Sequence, residues 1–354
     1  MAGQGLTPAH TGAGLADYLD RVAAANDRAA AAAGGYIDRF YRVAGLTLRL
    51  RFAGPALLTH LTPALEHLAS EPRDDASLTL QLFDTASTGV TPPAPPWDEG
   101  VFEDFVRVEA SLDGALAGAF HESTFVVLQA QLDRALYWVD APEDVHWWET
   151  GSPFQGILHL WLGTHGVQVA HAAAVGDAEG CLMIVGHGGA GKSSTSLACL
   201  DAGLGLIGED YCLLTGPEPP TVHSLYSSAK AGDDTLGRLP FLRPMVRNPD
   251  RTPPDKALCL LAEHLPERLL AAAPLRAVAI PHVTGRAETV VEPASPAAAL
   301  RALAPSTLLQ LRGTDGAAFT RLARAVRSVP CHHLHLGSDP AGVAAACRSL
   351  LDAA

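Results

Sequence analysis

The stretch that decides the fold is residues 182–193, Leu-Met-Ile-Val-Gly-His-Gly-Gly-Ala-Gly-Lys-Ser. Its first four residues are apolar and predict a short buried strand. Residues 186–193 then fit the pattern G-x-x-x-x-G-K-[ST], and the small and apolar residues 194–200 predict a helix. A strand, a glycine-rich loop and a helix in this order are typical of a phosphate-binding loop.

The residues of this loop suit a bound triphosphate. Glycines let successive backbone N–H groups point at phosphate oxygens, and the helix N-terminus adds partial positive charge. We expect Lys192 to reach the β- and γ-phosphates and the Ser193 hydroxyl to take one position around Mg²⁺. The predicted nucleotide-binding residues are Gly186, His187, Gly188, Gly189, Ala190, Gly191, Lys192, Ser193 and Ser194. The alternative is a glycine-rich turn that happens to carry Gly-Lys-Ser.

Length, charge and cysteine content limit the classes to which the protein can belong. The 354 residues, 48% of them hydrophobic, suffice for two globular domains with a large core. The net charge of -13 argues against a nucleic-acid partner held by phosphate neutralisation. The 6 cysteines lack C-x-x-C spacing and predict reduced thiols. With neither a signal-peptide pattern nor an apolar run near membrane-spanning length, we expect a cytoplasmic protein without a membrane partner.

The first 150 residues carry no catalytic motif. Residues 1–35 predict a loose leader and an Ala-rich helix ending at Gly34-Gly35. Residues 36–150 predict an α+β accessory or recognition domain with much antiparallel sheet. Its predicted elements are a helix over 57–68, a Pro-rich loop over 88–100, and strands over 36–52, 77–83, 105–112, 118–122, 124–128 and 135–139.

Chemistry-bearing residues flank the glycine-rich loop on both sides. A helix is predicted over 154–162 and a strand over 167–175, which puts His171 on a strand beside the loop. A core histidine bonded to backbone is an equally good interpretation of this residue alone. After the loop helix, a strand over 203–208 ends in Glu209-Asp210, where P-loop proteins place an acid next to Mg²⁺. The alternative is a solvated strand end.

Taken together, His171 in His-Ala-Ala-Ala-Val, the loop over 186–193 and Gly208-Glu209-Asp210 carry a resemblance. Residues 165–215 resemble the catalytic core of the HPr kinase/phosphorylase-like serine kinases. Stretches at 224–230, 255–257, 303–307 and 329–331 are similar to the same bacterial family. The resemblance implies an α/β, P-loop-containing, HPr kinase-like catalytic domain over 151–354, preceded by the N-terminal α+β domain. The family's acidic pair is usually Asp-Asp, whereas this chain has Glu-Asp.

The resemblance also implies an activity. It predicts an ATP-dependent kinase, with ATP and Mg²⁺, that transfers the γ-phosphate to a serine of a peptide or small protein, and it implies a homo-oligomer. The alternatives are a small-molecule alcohol as acceptor, or a nucleotide-binding switch without transfer. In the predicted site Glu209 is the base, Asp210 and Ser193 hold the metal, His171 hydrogen-bonds to the base, and Lys192 assists transfer.

Three further features lie downstream. Lys230 and Lys256 fall in Gly/Pro-flanked segments that could close over the transferred phosphate, although an ordinary surface lysine explains each equally well. In the strand over 331–336, His333 and His335 share one face, but two ligands are too few for a zinc site. Helices are predicted over 257–273, 296–303, 317–326 and 341–351, and a strand over 277–283.

Overall fold

The computed structural model describes residues 13–94, 106–108, 116–121, 123–129, 132–310 and 316–353. The chain is a mixed α/β protein with parallel and antiparallel strand pairs. It divides into two compact units, Met1–Thr62 with Ala69–Trp161, and Pro63–Leu68 with Leu162–Ala354. The domain boundaries at 35/36 and 150/151 stay predictions. In the described ranges, no helix combines the length and the apolar character needed to cross a membrane.

The first unit contains a seven-stranded sheet in the order β1-β2-β3-β7-β6-β5-β4. Its strands are β1 (Tyr36–Val43), β2 (Leu46–Ala53), β3 (Leu78–Asp84), β4 (Val106–Val108), β5 (Leu116–His121), β6 (Thr124–Gln129) and β7 (Arg134–Val139). Among the strand pairs of this sheet in the described residues, β2–β3 and β3–β7 are parallel and the others antiparallel. Its helices are α1 (Ala13–Ala32), α2 (Leu58–Leu61), α3 (Thr85–Thr88) and α4 (Trp147–Gly151). Apolar residues of α1, among them Tyr18 and Val22, share a buried cluster with the sheet residues Phe83 and Trp138.

Two predictions for the first 70 residues need correction. The strand predicted over 36–52 is a hairpin of β1 and β2, because Ala44 (φ 47°) and Gly45 (φ 88°) form a tight turn. Positive φ at both central residues is what such a turn requires. The helix predicted over 57–68 is α2 followed by a separate 3₁₀ turn at Glu66–Leu68. Pro63 lies between them, and proline disfavours a continuous helix. Parts of the predicted loop over 88–100 and strand over 105–112 lie outside the described residues.

The second unit is built on a nine-stranded sheet with the path β11-β9-β10-β16-β13-β12-β8, and β18 pairs with β16 and β17. Its strands are β8 (Gln168–Ala170), β9 (Ala173–Asp177), β10 (Gly180–Ile184), β11 (Gly205–Gly208), β12 (Cys212–Thr215), β13 (Thr221–Ser224), β16 (Ala272–Arg286), β17 (Val290–Ala294) and β18 (Cys331–Gly337). A separate hairpin pairs β14 (Ser228–Ala231) with β15 (Ala257–Leu260).

Helices cover both faces of this sheet. They are α6 (Lys192–Asp201), α7 (Asp233–Arg238), α8 (Pro296–Gln310), α9 (Gly316–Arg327) and α10 (Pro340–Asp352). Leu197 of α6 and Val343 of α10 belong to the core on one face, while Leu303 of α8 and Leu322 of α9 belong to the core on the other. A further helix, α5 (Gln155–Thr164), begins in the first unit and ends in the second.

Two predictions in this part of the chain also need correction. The strand predicted over 167–175 is interrupted at His171, and its halves β8 and β9 pair with different strands. The helix predicted over 257–273 is wrong, because this segment contains β15, two 3₁₀ turns at Leu261–Glu263 and Pro266–Arg268, and the start of β16. Periodicity alone does not separate a buried strand from a helix in such an apolar run.

We expect the stability of the protein to depend on pH through His67, a partly buried histidine of the second unit. His67 Nε2 lies 2.6 Å from Ser224 Oγ, and burial lowers the pKa of His67 to about 4. In the unfolded chain His67 becomes protonated as the pH falls below about 6.5, whereas in the folded chain it stays neutral until about pH 4. Because the unfolded state binds the additional proton in this range, acid favours unfolding. At pH 5 this costs about 2 kcal/mol of unfolding free energy relative to pH 7.5.

Denaturant unfolding at the two pH values measures this cost. The His67→Gln variant keeps an amide for Ser224 but does not titrate, so its stability should fall less between pH 7.5 and pH 5. Identical losses in the wild type and the variant would show that His67 is not the group responsible.

Candidate functional site

The loop of residues 185–191 joins β10 to α6 and folds over its own lysine. The Lys192 ammonium donates to the carbonyl oxygens of Gly186 at 2.8 Å and His187 at 3.4 Å, and the side chain is 6% exposed. Burial lowers the pKa of Lys192, while the charges of Asp210 and Glu209 oppose that shift. A buried cation therefore lies against two loop carbonyl groups at the start of a helix.

Alanine substitutions at two glycines of this loop should affect the stability of the protein differently. Gly191 has φ +105°, and an added Cβ would overlap Leu336, whereas Gly188 lies outside the left-handed region with open space around it. We expect Gly191→Ala to destabilise the protein by about 1–3 kcal/mol, because alanine is strained at this φ. Gly188→Ala is the matched control and should unfold at nearly the wild-type temperature. Equal melting temperatures for both variants in a thermal scan would contradict the loop geometry.

Glu209 lies at the end of β11 and is the more deeply buried of the two adjacent acids, with 2% of its surface exposed. Its Oε2 accepts the backbone N–H of Lys230 at 3.0 Å, and the nearby Ser193 hydroxyl acts to lower the pKa of this carboxyl group. Burial raises the pKa of Glu209, and the charge of Asp210 raises it further. This carboxyl group therefore faces the first turn of α6.

Asp210 has different partners. Its Oδ1 accepts a hydrogen bond from His171 Nε2 at 2.8 Å, and its Oδ2 lies 3.2 Å from Lys230 Nζ. Burial alone would raise the pKa of Asp210, but the His171 hydrogen bond and the Lys230 charge outweigh it and hold the pKa well below its usual range. The two neighbouring acids thus have pKa values shifted in opposite directions, a pattern that marks divided roles in active sites.

The break between β8 and β9 positions His171. Its backbone N–H donates to Thr307 Oγ1 of α8 at 3.0 Å, and its ring stacks on Tyr211 with centroids 5.3 Å apart. The second ring nitrogen, Nδ1, is buried without a hydrogen-bond partner in the part of the chain that the structure describes. Backbone and ring contacts together hold the imidazole against Asp210.

The structure brings together most of the residues that the sequence singles out. Contacts or charge interactions link Lys192, Ser193, Glu209, Asp210, His171 and Lys230. One expected contact differs, because His171 hydrogen-bonds to the second acid of the pair and not to the first. The reason is the strand break, which sets the imidazole beside Asp210 while Glu209 turns towards α6.

The other predicted residues lie around this group. Lys256 is exposed, yet its charge contributes to lowering the pKa of Lys192. His187 is exposed, and its Nδ1 lies 2.7 Å from the Gly188 carbonyl oxygen. The Ser194 hydroxyl hydrogen-bonds to Thr235 of α7 at 2.9 Å.

The sequence did not predict two contacts of His171 in this site. Thr307 holds the backbone of His171, and Tyr211 stacks on the imidazole ring. Pro305 lies inside α8, two positions before Thr307, and an internal helix proline could have signalled a constrained segment there. Tyr211 directly follows the acidic pair, but nothing in that position predicts stacking.

A third histidine, His282 of β16, lies beside His333 and His335 of strand β18. His282 Nε2 lies 2.9 Å from His333 Nδ1, and the His282 and His335 rings stack with centroids 5.2 Å apart. Within the described ranges, no three histidine, cysteine or acidic side chains are arranged to hold a metal ion.

Comparisons with known proteins add a similarity in structure. No family model and no curated protein matches the sequence. Among solved structures, the chain is similar to the Hpr(Ser) kinase/phosphatase from Coxiella burnetii, with 10% sequence identity and a TM-score of 0.28. The match covers 52% of this chain and 95% of the other. We therefore base the function on the residues of this chain.

Proposed function

We propose that the chain is an ATP-dependent phosphotransferase with a P-loop-containing, HPr kinase-like catalytic domain over 151–354. The observation that carries the proposal is the divided acid pair. Glu209 faces the helix that starts at the glycine-rich loop, and Asp210 is held by His171 and Lys230. Phosphoryl transfer asks mainly for positioning and charge neutralisation, and these groups can supply both.

The donor set beside the loop fits Mg²⁺. The hydroxyl of Ser193 and the carboxylate of Glu209 are hard oxygen ligands, and they lie near enough for Ser193 to lower the pKa of Glu209. Magnesium is typically held by one or two such protein oxygens together with substrate phosphates. We assign the metal to Ser193 and Glu209 in place of Asp210, because Glu209 faces the first turn of α6 whereas Asp210 is oriented by His171 and Lys230. When bound, the ion would neutralise charge on the phosphate groups.

Asp210 is the proposed base. The His171 hydrogen bond and the Lys230 charge keep its carboxylate ionised and fix its orientation. In this role Asp210 accepts the hydrogen bond of the acceptor hydroxyl, aligns its oxygen and takes its proton as transfer proceeds. His171 is then a positioning residue that acts through Asp210. The sequence-based division of roles between the two acids is thereby reversed.

Lys192 is the proposed contact to the transferred phosphate. Its ammonium donates to the neutral loop carbonyls of Gly186 and His187. A triphosphate on the loop offers stronger, charged acceptors for the same donor. Lys192 would then hold the β- and γ-phosphate oxygens while Asp210 holds the acceptor.

For the acceptor we propose a serine of a peptide or small protein, which is what the resemblance of the sequence implies. Residues 36–150 are the proposed recognition domain. The test incubates the full chain with ATP, Mg²⁺ and serine-containing peptides encoded by neighbouring genes, followed by mass spectrometry.

A gain of one phosphate on a serine supports this function, with Asp210→Asn as the inactive control. Phosphate found on a small alcohol would change the acceptor class. Tight ATP binding without transfer to any acceptor would instead support the nucleotide-binding switch.

A further inference from the structure

A cleft of about 140 Å³ opens beside the N-terminus of α6. Ser194, Thr195 and Ala198 of α6 form one side of it, and Thr235 and Arg238 of α7 form another. The segment after β18 and the start of α10 close the remaining side, with Ser338 among the lining residues. The cleft therefore begins where the glycine-rich loop ends.

The cleft and the acid pair lie on opposite sides of β10, the strand that leads into the loop. In the sheet order, β9 separates β10 from β11, which carries Glu209 and Asp210 at its end. The cleft is lined by Val283 of β16 and Leu336 of β18, on the other side of β10. A triphosphate that lies along the loop with its terminal group at the acids has its opposite end directed towards the cleft.

Thr195 gives independent evidence that the cleft takes a ligand. This residue lines the cleft and is 0% exposed, yet its Oγ1 has no hydrogen-bond partner among the described residues. Its backbone N–H is satisfied by the carbonyl oxygen of Gly191 at 2.9 Å, so only the hydroxyl lacks a partner. Buried hydroxyls are almost always hydrogen-bonded, and an exception calls for an explanation. A polar atom of a bound molecule would supply the missing contact.

The remaining lining has the mixed character of a site for a flat heterocycle. Ala198, Leu239 and Val343 are buried and apolar, and the exposed Arg238 brings a guanidinium group to the rim. Small-molecule sites usually combine apolar walls with a few polar groups that fix orientation. A guanidinium can also stack on an aromatic face.

We propose that this cleft is a nucleoside subsite, which takes the base and ribose of the ATP whose phosphates lie on residues 186–193. The Thr195 hydroxyl contacts a polar atom of that nucleoside. The inference rests on the proposed function in one respect, since it takes ATP as the ligand of the loop.

Calorimetric titrations with Mg²⁺-ATP and with inorganic tripolyphosphate test this subsite. Thr195→Val removes the hydroxyl at constant shape, and it should weaken ATP binding roughly 3–10-fold while tripolyphosphate binding is unchanged. The ligand-free variant should melt at or above the wild-type temperature, because an unsatisfied buried hydroxyl has been removed. Thr195→Ser keeps the hydroxyl and should retain most of the ATP affinity. A merely structural role of Thr195 predicts a lower melting temperature and no change in ATP binding.

A second variant fills the cleft without disturbing the core. Ser338 is exposed at the rim, so Ser338→Trp can place an indole ring in the cleft, and Ser349→Trp on the exposed side of α10 is the matched control. We expect Ser338→Trp to reduce the ATP affinity to that of tripolyphosphate, while the control binds like the wild type.

The outcomes separate this inference from the proposed function. If the wild type binds both ligands but neither Thr195→Val nor Ser338→Trp changes ATP affinity, the nucleoside subsite is refuted and the phosphate loop stands. If the wild type binds neither ATP nor tripolyphosphate, both the proposed function and the nucleoside subsite are refuted.

Discussion

Replacing Lys192 with alanine should reduce phosphoryl transfer about 10²–10³-fold, the usual cost of removing one positioned donor from a transition state. The ammonium is buried beneath the loop, and no water can replace it there at equal strength. Initial rates of transfer at saturating ATP and Mg²⁺ measure the effect. Circular dichroism on the same sample checks that the chain remains folded.

Lys256→Ala is the comparison for this experiment. Lys256 is exposed and influences Lys192 only through its charge, so its removal should cost less than about tenfold in rate. Wild-type turnover in Lys192→Ala would count heavily against the proposed function. Equal losses in both variants would mean that charge near the loop matters and the position of Lys192 does not.

Replacing Asp210 or Glu209 by the corresponding amide should change different kinetic properties of the enzyme. At saturating Mg²⁺, Asp210→Asn should lower kcat about 10²–10⁴-fold, because general-base catalysis is worth that much. Its Mg²⁺ requirement should stay near the wild-type value. Glu209→Gln should instead raise the Mg²⁺ concentration needed for half-maximal activity, because an amide is a weaker ligand than a carboxylate.

Mg²⁺ titrations of activity for the wild type and both variants make this comparison. The amides keep the shape of each side chain, so the hydrogen bond from His171 retains an acceptor oxygen. A raised Mg²⁺ requirement in Asp210→Asn, together with a pure loss of kcat in Glu209→Gln, would restore the assignment made from the sequence.

Local features of the site could be predicted from the sequence. β10, the glycine-rich loop and α6 lie close to where residues 182–200 predict them, and β11 ends at the predicted acidic pair. These features depend on short-range patterns of apolar residues and glycines, which the sequence displays directly. The strand break at His171 has no such signal, because the run Ala170 to Val175 is uniformly small and apolar around the histidine.

The contact of Lys230 with the acid pair and the support of His171 by Thr307 could not be predicted, because distant segments provide them. Lys230 reaches the pair from the β14–β15 hairpin, and the segment that contains β15 was predicted to be a helix. Thr307 comes from α8, more than a hundred residues after the His171 backbone that it holds. Which acid faces α6 and which faces the imidazole is decided by this tertiary packing, and side-chain patterns within one strand do not encode it.

The most direct test of the central claim is a crystal structure with Mn²⁺ and a non-hydrolysable ATP analogue, in which anomalous scattering locates the metal. We expect the analogue's phosphates on the loop of residues 186–193, and Mn²⁺ at about 2.0–2.2 Å from the Ser193 hydroxyl and the Glu209 carboxylate. Asp210, still bonded to His171, should face the terminal phosphate. Mn²⁺ bound to Asp210, or an analogue whose phosphates lie away from the loop, would contradict the account.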